Sequence, residues 1–457
     1  MFTPEKFKNK GALVIGAGIS GVACANLMAA NGFKVFLSES KPLKDVKNSL
    51  KGLSRAVKIE TGGHTNRAFA CAFAVKSPGL KRSSPIMRTL KKRGVPVFSE
   101  VEVAMAFSKT KNLLAVTGTN GKTTTTALLG EIMELALKKT GGRALVCGNV
   151  GIPASALAQK ARGKDFIVME LSSYQLEDSS YLSPAVSCVL NVTPDHLDHH
   201  GGMGAYLKAK EKVFKFQGED DFCVLNYEDP RCRAFFRLCR AKALYFSSAR
   251  RGGNLNAYSE SAGGLVFRAA GKTFRIRAPA LPGTHNLENA MCAGLMALAA
   301  GVNPETLKKV FAGFRGVEHR IETARALDGV TFINDSKATN VASTLVALKA
   351  LGRTKNIHLI LGGLDKGTPY SPLKPLLRKY VKEILTIGSA ARKIEKELSG
   401  ACPLRPAKIL ETAVKTARAS ASGGDLVLLS PACASFDQFK DFEDRGRKFK
   451  ELVNKLK

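Results

Sequence analysis

The chain has no apolar run of membrane-spanning length, no Cys-x-x-Cys pair, few aromatic residues and few acids for its bases. Each shortage excludes something. Without about 18 consecutive apolar residues, no stable membrane insertion is expected. The polar start, Met1 to Lys10, lacks the apolar segment of a secretory signal, so a cytoplasmic protein is the expectation. Ten cysteines stand singly, several inside apolar runs (Cys147, Cys188, Cys223, Cys292), which argues against a disulfide framework and against a zinc site. Lys and Arg number 70 against 38 Asp and Glu, a formal charge of +32. Such an excess raises nucleic acid as a partner. Aromatics are only 7%, however, and the basic residues are spread, with small clusters at Lys91-Lys92-Arg93 and Arg445 to Lys450. A solvated basic surface serving small polyanions fits better, and no nucleic acid is expected.

What is present begins with a βαβ pattern. Ala12 to Ile15 reads as a strand, then Gly16-Ala17-Gly18-Ile19-Ser20-Gly21, a helical stretch to Asn31, and a strand from Lys34 to Leu37 that ends at Glu39. The turn is G-x-G-x-x-G, and the acid is placed to reach a ribose hydroxyl, so an NAD-dependent oxidoreductase is one reading. Against it, only about one small domain fits before the next strong element, which suits a half-sized nucleotide site. Ser77-Pro78-Gly79 closes the apolar run Cys71 to Val75. Ser77 is either a plain turn residue or a ligand contact at a strand end.

The next element is Leu113 to Val116, a buried strand by its composition, running into Thr117-Gly118-Thr119-Asn120-Gly121-Lys122-Thr123-Thr124 and a helical pattern from Ala127 to Leu137. Glycines, a Lys and a Thr between a strand and a helix N-terminus make a phosphate cradle. The match to the Walker A pattern is incomplete, because Val116 stands where that pattern has a Gly, and a tighter loop is expected. Further strands end in polar groups: Ala144 to Cys147 in Gly148-Asn149, Phe166 to Met169 in Glu170, and Val186 to Val192 in Thr193-Pro194-Asp195-His196-Leu197-Asp198-His199-His200. Glu170 beside a phosphate loop sits where an NTPase holds a second Mg²⁺ ligand. The histidine loop suits metal or phosphate contact, or is simply solvated. On the helix Ala205 to Phe216, Lys208, Lys212 and Lys215 share a solvated face, while Lys210 lies on the apolar stripe with Tyr206, Val213 and Phe214. Lys210 either snorkels to water or is a desolvated amine of lowered pKa. Asn286 and Asn289 share a helix face suited to an amide edge or a base, or serve as caps.

Past Gly313 to Gly316 a second βαβ rhythm gives three strands, Thr331 to Ile333, Ile357 to Leu361 and Leu426 to Leu429. Each ends in a polar loop, the last carrying Ser435 and Gln438 in a capping-box spacing. Together these observations give an α/β protein of three domains. They are a Rossmann-like N-terminal domain over 1–110, a central P-loop ATPase-type domain with a parallel sheet over 111–316, and a C-terminal Rossmann-like α/β domain over 317–457.

With these stretches assembled, the chain resembles the Mur ligase family of peptidoglycan synthesis over essentially its whole length. The resemblance is carried by Gly118 to Thr124, Glu170-Leu-Ser-Ser-Tyr-Gln175, Asn191-Val-Thr-Pro-Asp-His196, Gly283-Thr-His-Asn286 with Asn289, His319-Arg320 and Asn334-Asp-Ser-Lys-Ala-Thr-Asn340. Ser430-Pro-Ala-Cys-Ala-Ser-Phe-Asp-Gln-Phe439 points to the members that add D-glutamate. The Asp-Asn-Pro-Arg run of the diaminopimelate-adding members is absent.

The resemblance implies a monomeric ATP-dependent ligase using two Mg²⁺ ions, with UDP-N-acetylmuramoyl-L-alanine and D-glutamate as substrates. It implies that Gly118, Thr119, Asn120, Gly121, Lys122, Thr123 and Thr124 hold the ATP phosphates, with Asn149 near the γ-phosphate and Asn286, Asn289, Arg320 and Asp335 at the adenosine. Thr123 and Glu170 would ligate one Mg²⁺, and His196 and Lys210, as an N-carboxylated lysine, the other. Lys122, Glu170, His196 and Lys210 form the implied catalytic set. Thr339, Lys366, Ser435 and Phe442 would receive D-glutamate; Ile19, Ser20, Glu39, Ser40, Lys41 and Ser77 would hold the UDP-sugar. Family members more often carry an Asp-Thr-Arg run where this chain has Glu39-Ser40-Lys41, and lysine lacks arginine's bidentate fork. A sister ligase taking another amino acid, the oxidoreductase, and a nucleic-acid-dependent ATPase are the competing readings.

Overall fold

The computed structural model describes residues 2–149, 151–365 and 367–457, without the side chains of Asp198 and Ala262. Among the described residues the strands form three sheets, each the core of an α/β domain. The first two domains pack as one compact unit, Met1–Pro279 with His285–Phe314; the third, Ala280–Thr284 with Arg315–Lys457, is another.

The first sheet contains β1 (Gly11–Ile15), β2 (Lys34–Glu39), β3 (Lys58–Thr61), β4 (Phe73–Lys76) and β5 (Val97–Ser99), in the order β3-β2-β1-β4-β5. All its pairings are parallel, so the inner strands are covered on both faces and read as apolar runs. The turn after β1 needs glycine for two separate reasons. Gly16 has φ +98°, and a Cβ on it would lie 2.6 Å from Ser77 Oγ. A Cβ on Gly21 would lie 1.9 Å from the Gly16 carbonyl, so no other residue lets the helix Ile19–Ala30 pack this close to the loop.

The few aromatics are concentrated. Phe73 on β4 packs against Phe2, Phe7, Phe33 and Phe98 with ring centroids 5.2, 4.5, 6.0 and 6.1 Å apart. Phe107 joins Phe2 and Phe33. This cluster fixes the N-terminal segment over the sheet. Glu102 adds a polar tie, accepting Phe2 N–H at 2.9 Å and Ser180 N–H at 2.6 Å, which links the first domain to the second.

The central sheet runs from β6 (Leu113–Thr117), β7 (Ala144–Gly148), β8 (Phe166–Glu170) and β9 (Val186–Val189) through β10 (Phe222–Asn226), β11 (Lys242–Ser247) and β12 (Ala257–Ser259) to β13 (Gly264–Ala269) and β14 (Lys272–Arg277). Its order is β14-β13-β12-β11-β10-β9-β6-β8-β7, parallel up to β12 and closed by an antiparallel edge at β13 and β14. β6 lies between β8 and β9, which brings three polar strand ends to one place. The helix Lys122–Leu137 starts directly at the loop after β6, and buries Thr124, Thr125, Leu128 and Leu129.

The third sheet holds β15 (Glu322–Leu327), β16 (Val330–Asn334), β17 (Ile357–Gly362), β18 (Val381–Ile387), β19 (Leu404–Lys408) and β20 (Leu426–Leu429), ordered β15-β16-β20-β17-β18-β19. Only β15 is antiparallel. β20 sits between β16 and β17, so the three strand ends expected to form a crevice are neighbours. At the opposite end, buried His358 bridges Glu383 at 2.7 Å and Asp425 at 3.2 Å.

Phe73→Ala empties the centre of the aromatic cluster. It is expected to destabilise the first domain by about 3–5 kcal/mol, read as a lower urea midpoint for the first compact unit.

Candidate active site

The loop after β6 is held by the end of β9. Thr119 N–H donates to Asn191 O at 2.9 Å, Asn120 N–H donates to Asn191 Oδ1 at 2.8 Å, and Asn191 Nδ2 returns a bond to Asn120 O at 3.1 Å. Gly118 and Gly121 have φ +153° and +87°. A Cβ on Gly121 would come within 2.3 Å of Asn289 Oδ1, and one on Gly118 within 2.9 Å of Leu190 Cβ. The backbone therefore lies flat against its neighbours and exposes its other side as a cradle.

Two lysines meet at this loop. Lys122 Nζ donates to Gly118 O at 3.0 Å and to Thr119 O at 2.8 Å. Lys210 Nζ donates to the same Gly118 O at 2.8 Å and lies 4.7 Å from the Tyr206 ring centroid. Lys210 is 1% exposed, so the snorkelling alternative fails. Burial first, and the Lys122 charge second, hold its pKa well below the ordinary lysine value. Tyr206 also anchors the loop, its hydroxyl 2.9 Å from Thr119 Oγ1. Sequence reasoning placed Tyr206 only as a stripe residue; its position one turn before Lys210 was the available signal.

Glu170, buried at the end of β8, accepts Asn149 Nδ2 at 3.0 Å, and its carbonyl accepts Asn149 N–H at 2.9 Å. Asn149 itself is exposed. Thr123 is half-buried in the first turn of the helix. His196 has φ +54°, is exposed, and its ring lies tilted against that of Tyr174 with centroids 4.8 Å apart. Asn289 Nδ2 donates to Asn286 Oδ1 at 3.1 Å, and Asn289 Oδ1 accepts Thr125 Oγ1 at 3.3 Å, so both asparagines belong to the loop's support. The fit to Mg²⁺ is good for the carboxylate of Glu170 and the hydroxyl of Thr123, hard oxygen donors. An unmodified lysine amine is a poor ligand for that ion.

Solvation fails here as the alternative for His199 and His200 and as the expectation for Lys212. The side chains of His199 and His200 are 4% and 2% exposed, both against Glu177. Lys212 is half-buried, donating to Glu177 O at 2.5 Å. A helix face drawn from sequence spacing did not include the neighbouring helix Ser173–Glu177.

In the first domain Ile19 is 71% exposed at the mouth of the glycine turn, with Ser40 and Lys41 also exposed. Glu39 points back into the protein: Oε2 accepts Ala17 N–H at 2.7 Å, and Oε1 accepts Lys41 N–H at 2.9 Å and Ser40 Oγ at 3.1 Å. Burial pushes its pKa up, but these hydrogen bonds outweigh it and hold the carboxyl below its ordinary value. Its structural work is to lock the glycine turn. Ser20 is half-buried, and the Ser77 hydroxyl is buried with no hydrogen-bond partner among the described residues.

In the third domain Asp335, at the end of β16, is buried and accepts Ser430 Oγ at 2.8 Å and Ile321 N–H at 3.3 Å. Burial outweighs these bonds and raises its pKa to about 7. Arg445, fully buried, ties the strand ends together by donating to Ser336 Oγ and O and to the Cys433 and Ala434 carbonyls. Phe442 O accepts Ser336 Oγ at 2.8 Å, and its ring lies 5.3 Å from Lys337 Nζ. Thr339 and Arg320 are half-buried in the same unit. Ser435 is buried but caps no helix; Asp441 caps the helix Phe442–Asn454, and Ser435 O instead accepts turn bonds from Gln438 and Phe439. Lys366 lies outside the described residues.

A three-sheet α/β chain with a phosphate cradle flanked by an acid and a buried lysine defines a nucleotide-dependent enzyme. The sequence matches the MurD-like N-terminal domain of Mur ligases over residues 10–99, the Mur ligase middle domain over 116–297 and the Mur ligase glutamate ligase domain over 319–433. The chain belongs to the Mur ligase family. The UDP-N-acetylmuramoylalanine–D-glutamate ligase of Elusimicrobium minutum is 45% identical over 460 residues, covering 100% of both chains. That of Koribacter versatilis is 42% identical, covering 98% of each. Among solved structures, UDP-N-acetylmuramate-alanine ligase from Thermotoga maritima superposes with a TM-score of 0.61 at 19% identity, over 98% of this chain and 100% of that one. MurF ligase from Thermotoga maritima in complex with ADP gives 0.58 at 19%, over 85% and 91%. These two share the fold.

The raised Asp335 gives a pH dependence. Between the ordinary aspartate value of 3.8 and about 7 the folded state keeps a proton that the unfolded chain has lost. Stability therefore declines as pH rises through that window. Asp335→Asn removes the titration and is expected to flatten the decline by on the order of 3 kcal/mol between pH 5 and pH 8, measured by urea unfolding at the two pH values.

Proposed function

We propose that the chain joins D-glutamate to UDP-N-acetylmuramoyl-L-alanine at the cost of ATP, releasing ADP and phosphate, as a cytoplasmic step of peptidoglycan precursor synthesis. The observation that carries this reading is end-to-end similarity, 45% over the full length, to a ligase named for those substrates. The run Ser430 to Phe439 supports glutamate over another amino acid. The reading takes 1–110 for the UDP-sugar, 111–316 for ATP and 317–457 for the amino acid, in a monomer.

The chemistry follows from the residues. A carboxylate is a poor electrophile, so the alanyl carboxylate must first be phosphorylated by ATP; the amine of D-glutamate then displaces phosphate from the acyl phosphate. Both steps bring negative charges together, and the protein's task is positioning and electrostatics. The loop Gly118 to Thr124 offers N–H donors at a helix N-terminus, and Lys122 adds a compact positive charge. Glu170, Thr123, His196 and Lys210 would hold Mg²⁺, which when bound offsets the repulsion between carboxylate and triphosphate. Asn149 holds the Glu170 carboxylate in place. Arg320 and Asp335 are assigned to the adenosine, and Thr339, Lys366, Ser435 and Phe442 to D-glutamate. Ile19, Ser20, Ser40, Lys41 and Ser77 are assigned to the UDP-sugar, with Glu39 acting through the glycine turn.

Lys210 is suited to carboxylation. Its depressed pKa favours a neutral amine, whose nitrogen adds to CO₂ and releases one proton, leaving a carbamate anion. That product would turn a poor metal ligand into an oxygen donor and put an anion beside the Lys122 ammonium, which shares Gly118 O with it.

The enzyme is expected to release ADP only when both UDP-N-acetylmuramoyl-L-alanine and D-glutamate are present; ATP turnover indifferent to both would refute the reading. A panel of amino acids in the same assay separates a sister ligase. Lys210→Ala is expected to be inactive and partly restored by added acetate, whereas full activity without acetate would rule out the carbamate.

A further inference from the structure

A second charged cluster in the first compact unit centres on Glu177, the last residue of the helix Ser173–Glu177. Oε1 accepts a hydrogen bond from Lys76 Nζ at 2.7 Å and lies 2.9 Å from His199 Nε2. Oε2 lies 3.2 Å from His200 Nδ1. The carbonyl of the same residue accepts Arg82 at 2.6 Å and Lys212 at 2.5 Å. Burial would push the carboxyl up, but the Lys76 and His199 hydrogen bonds outweigh it and keep it below its ordinary value.

The partners come from two places that the proposed reaction must keep in register. Lys76 ends β4, directly before Ser77, and is 2% exposed, its Nζ also on Leu80 O at 2.8 Å and 2.5 Å from Asp178 Oδ2. His199 and His200 lie in the turn after His196, whose carbonyl accepts both of their N–H groups at 3.1 Å. Tyr174 backs the three imidazoles, with centroids 4.8, 4.2 and 5.6 Å away. His200 in turn lies 2.9 Å from Ser173 Oγ and 5.4 Å from the Tyr206 ring, beside Lys210.

Glu177, His199 and His200 also have the spacing of a metal site, with ligand atoms within 4.8 Å of one another. The Lys76 ammonium argues against a metal, because it already supplies the cation at the same carboxylate oxygen. We propose that Glu177 is a positioning residue, fixing the His196 loop against the strand end that carries Ser77. Metal-holding and sugar-holding groups are thereby set at one separation. This rests on the ligase reading, and the test separates the two.

Glu177→Gln preserves shape and removes the charge; Glu177→Asp and Lys76→Met complete the set. Mn²⁺ binding to the ADP complex, followed by electron paramagnetic resonance, needs no turnover and so stands whether or not the ligase reading does. Glu177→Gln is expected to weaken it about tenfold, with the same rise in KM for UDP-N-acetylmuramoyl-L-alanine and little change in KM for D-glutamate. Glu177→Asp should recover part of the loss, and Lys76→Met combined with Glu177→Gln should cost no more than Glu177→Gln alone. Unchanged Mn²⁺ affinity in a folded Glu177→Gln protein would overturn the proposal. An equal rise in KM for D-glutamate, or Zn²⁺ bound by the wild type and lost in His199→Gln, would overturn it too. A wild type that binds Mn²⁺ and ADP but releases no ADP with its two substrates would refute the ligase reading alone.

Discussion

A single buried carbonyl, Gly118 O, accepts hydrogen bonds from the ammonium groups of Lys122 and Lys210. Two like charges at one acceptor in a buried site are unfavourable unless an anion joins them or one proton leaves. The arrangement of the central domain follows from that constraint. The loop must be flat enough to present its carbonyl inward, which requires the positive φ of Gly118 and Gly121. It must also be braced from behind, which Asn191, Asn289 and Tyr206 do. In the proposed reaction that charge imbalance would serve to bind phosphate, and it gives Lys210 a reason to give up its proton.

The same logic organises the other domains. In the first, one glutamate holds the glycine turn by accepting backbone N–H groups, leaving Ile19, Ser40 and Lys41 exposed. In the third, a fully buried guanidinium, whose hydrogen-bond acceptors among the described residues include no carboxylate, joins Ser336 to the Cys433 and Ala434 carbonyls. Each domain fixes strand-end loops with a charged group satisfied mainly by backbone. That is how a parallel sheet, whose loops are its chemistry, keeps them rigid.

The +32 charge follows the same division between inside and outside. Lys76, Lys210 and Arg445 are buried and each has a defined task. The basic residues of the helix Pro85–Lys92, Arg88, Lys91 and Lys92, are exposed, as a solvated surface requires.

Alternation of apolar strands with polar strand ends was enough to give the three α/β domains, the glycine-rich loop after the sixth strand and the candidate Glu170; helical spacing singled out Lys210, and the family resemblance added His196. These are properties of local sequence: burial on both faces makes a continuous apolar run, and glycine is required where φ is positive. Tertiary structure alone decided which polar residues face each other. Glu39 turned inward onto Ala17, His199 and His200 packed on Glu177, Ser435 lost its helix cap to Asp441, and Lys76 found its partner 101 positions away. Side chains so distant in sequence meet only through the order of strands in a sheet and the packing of one domain on the next, and no periodicity along the chain encodes either.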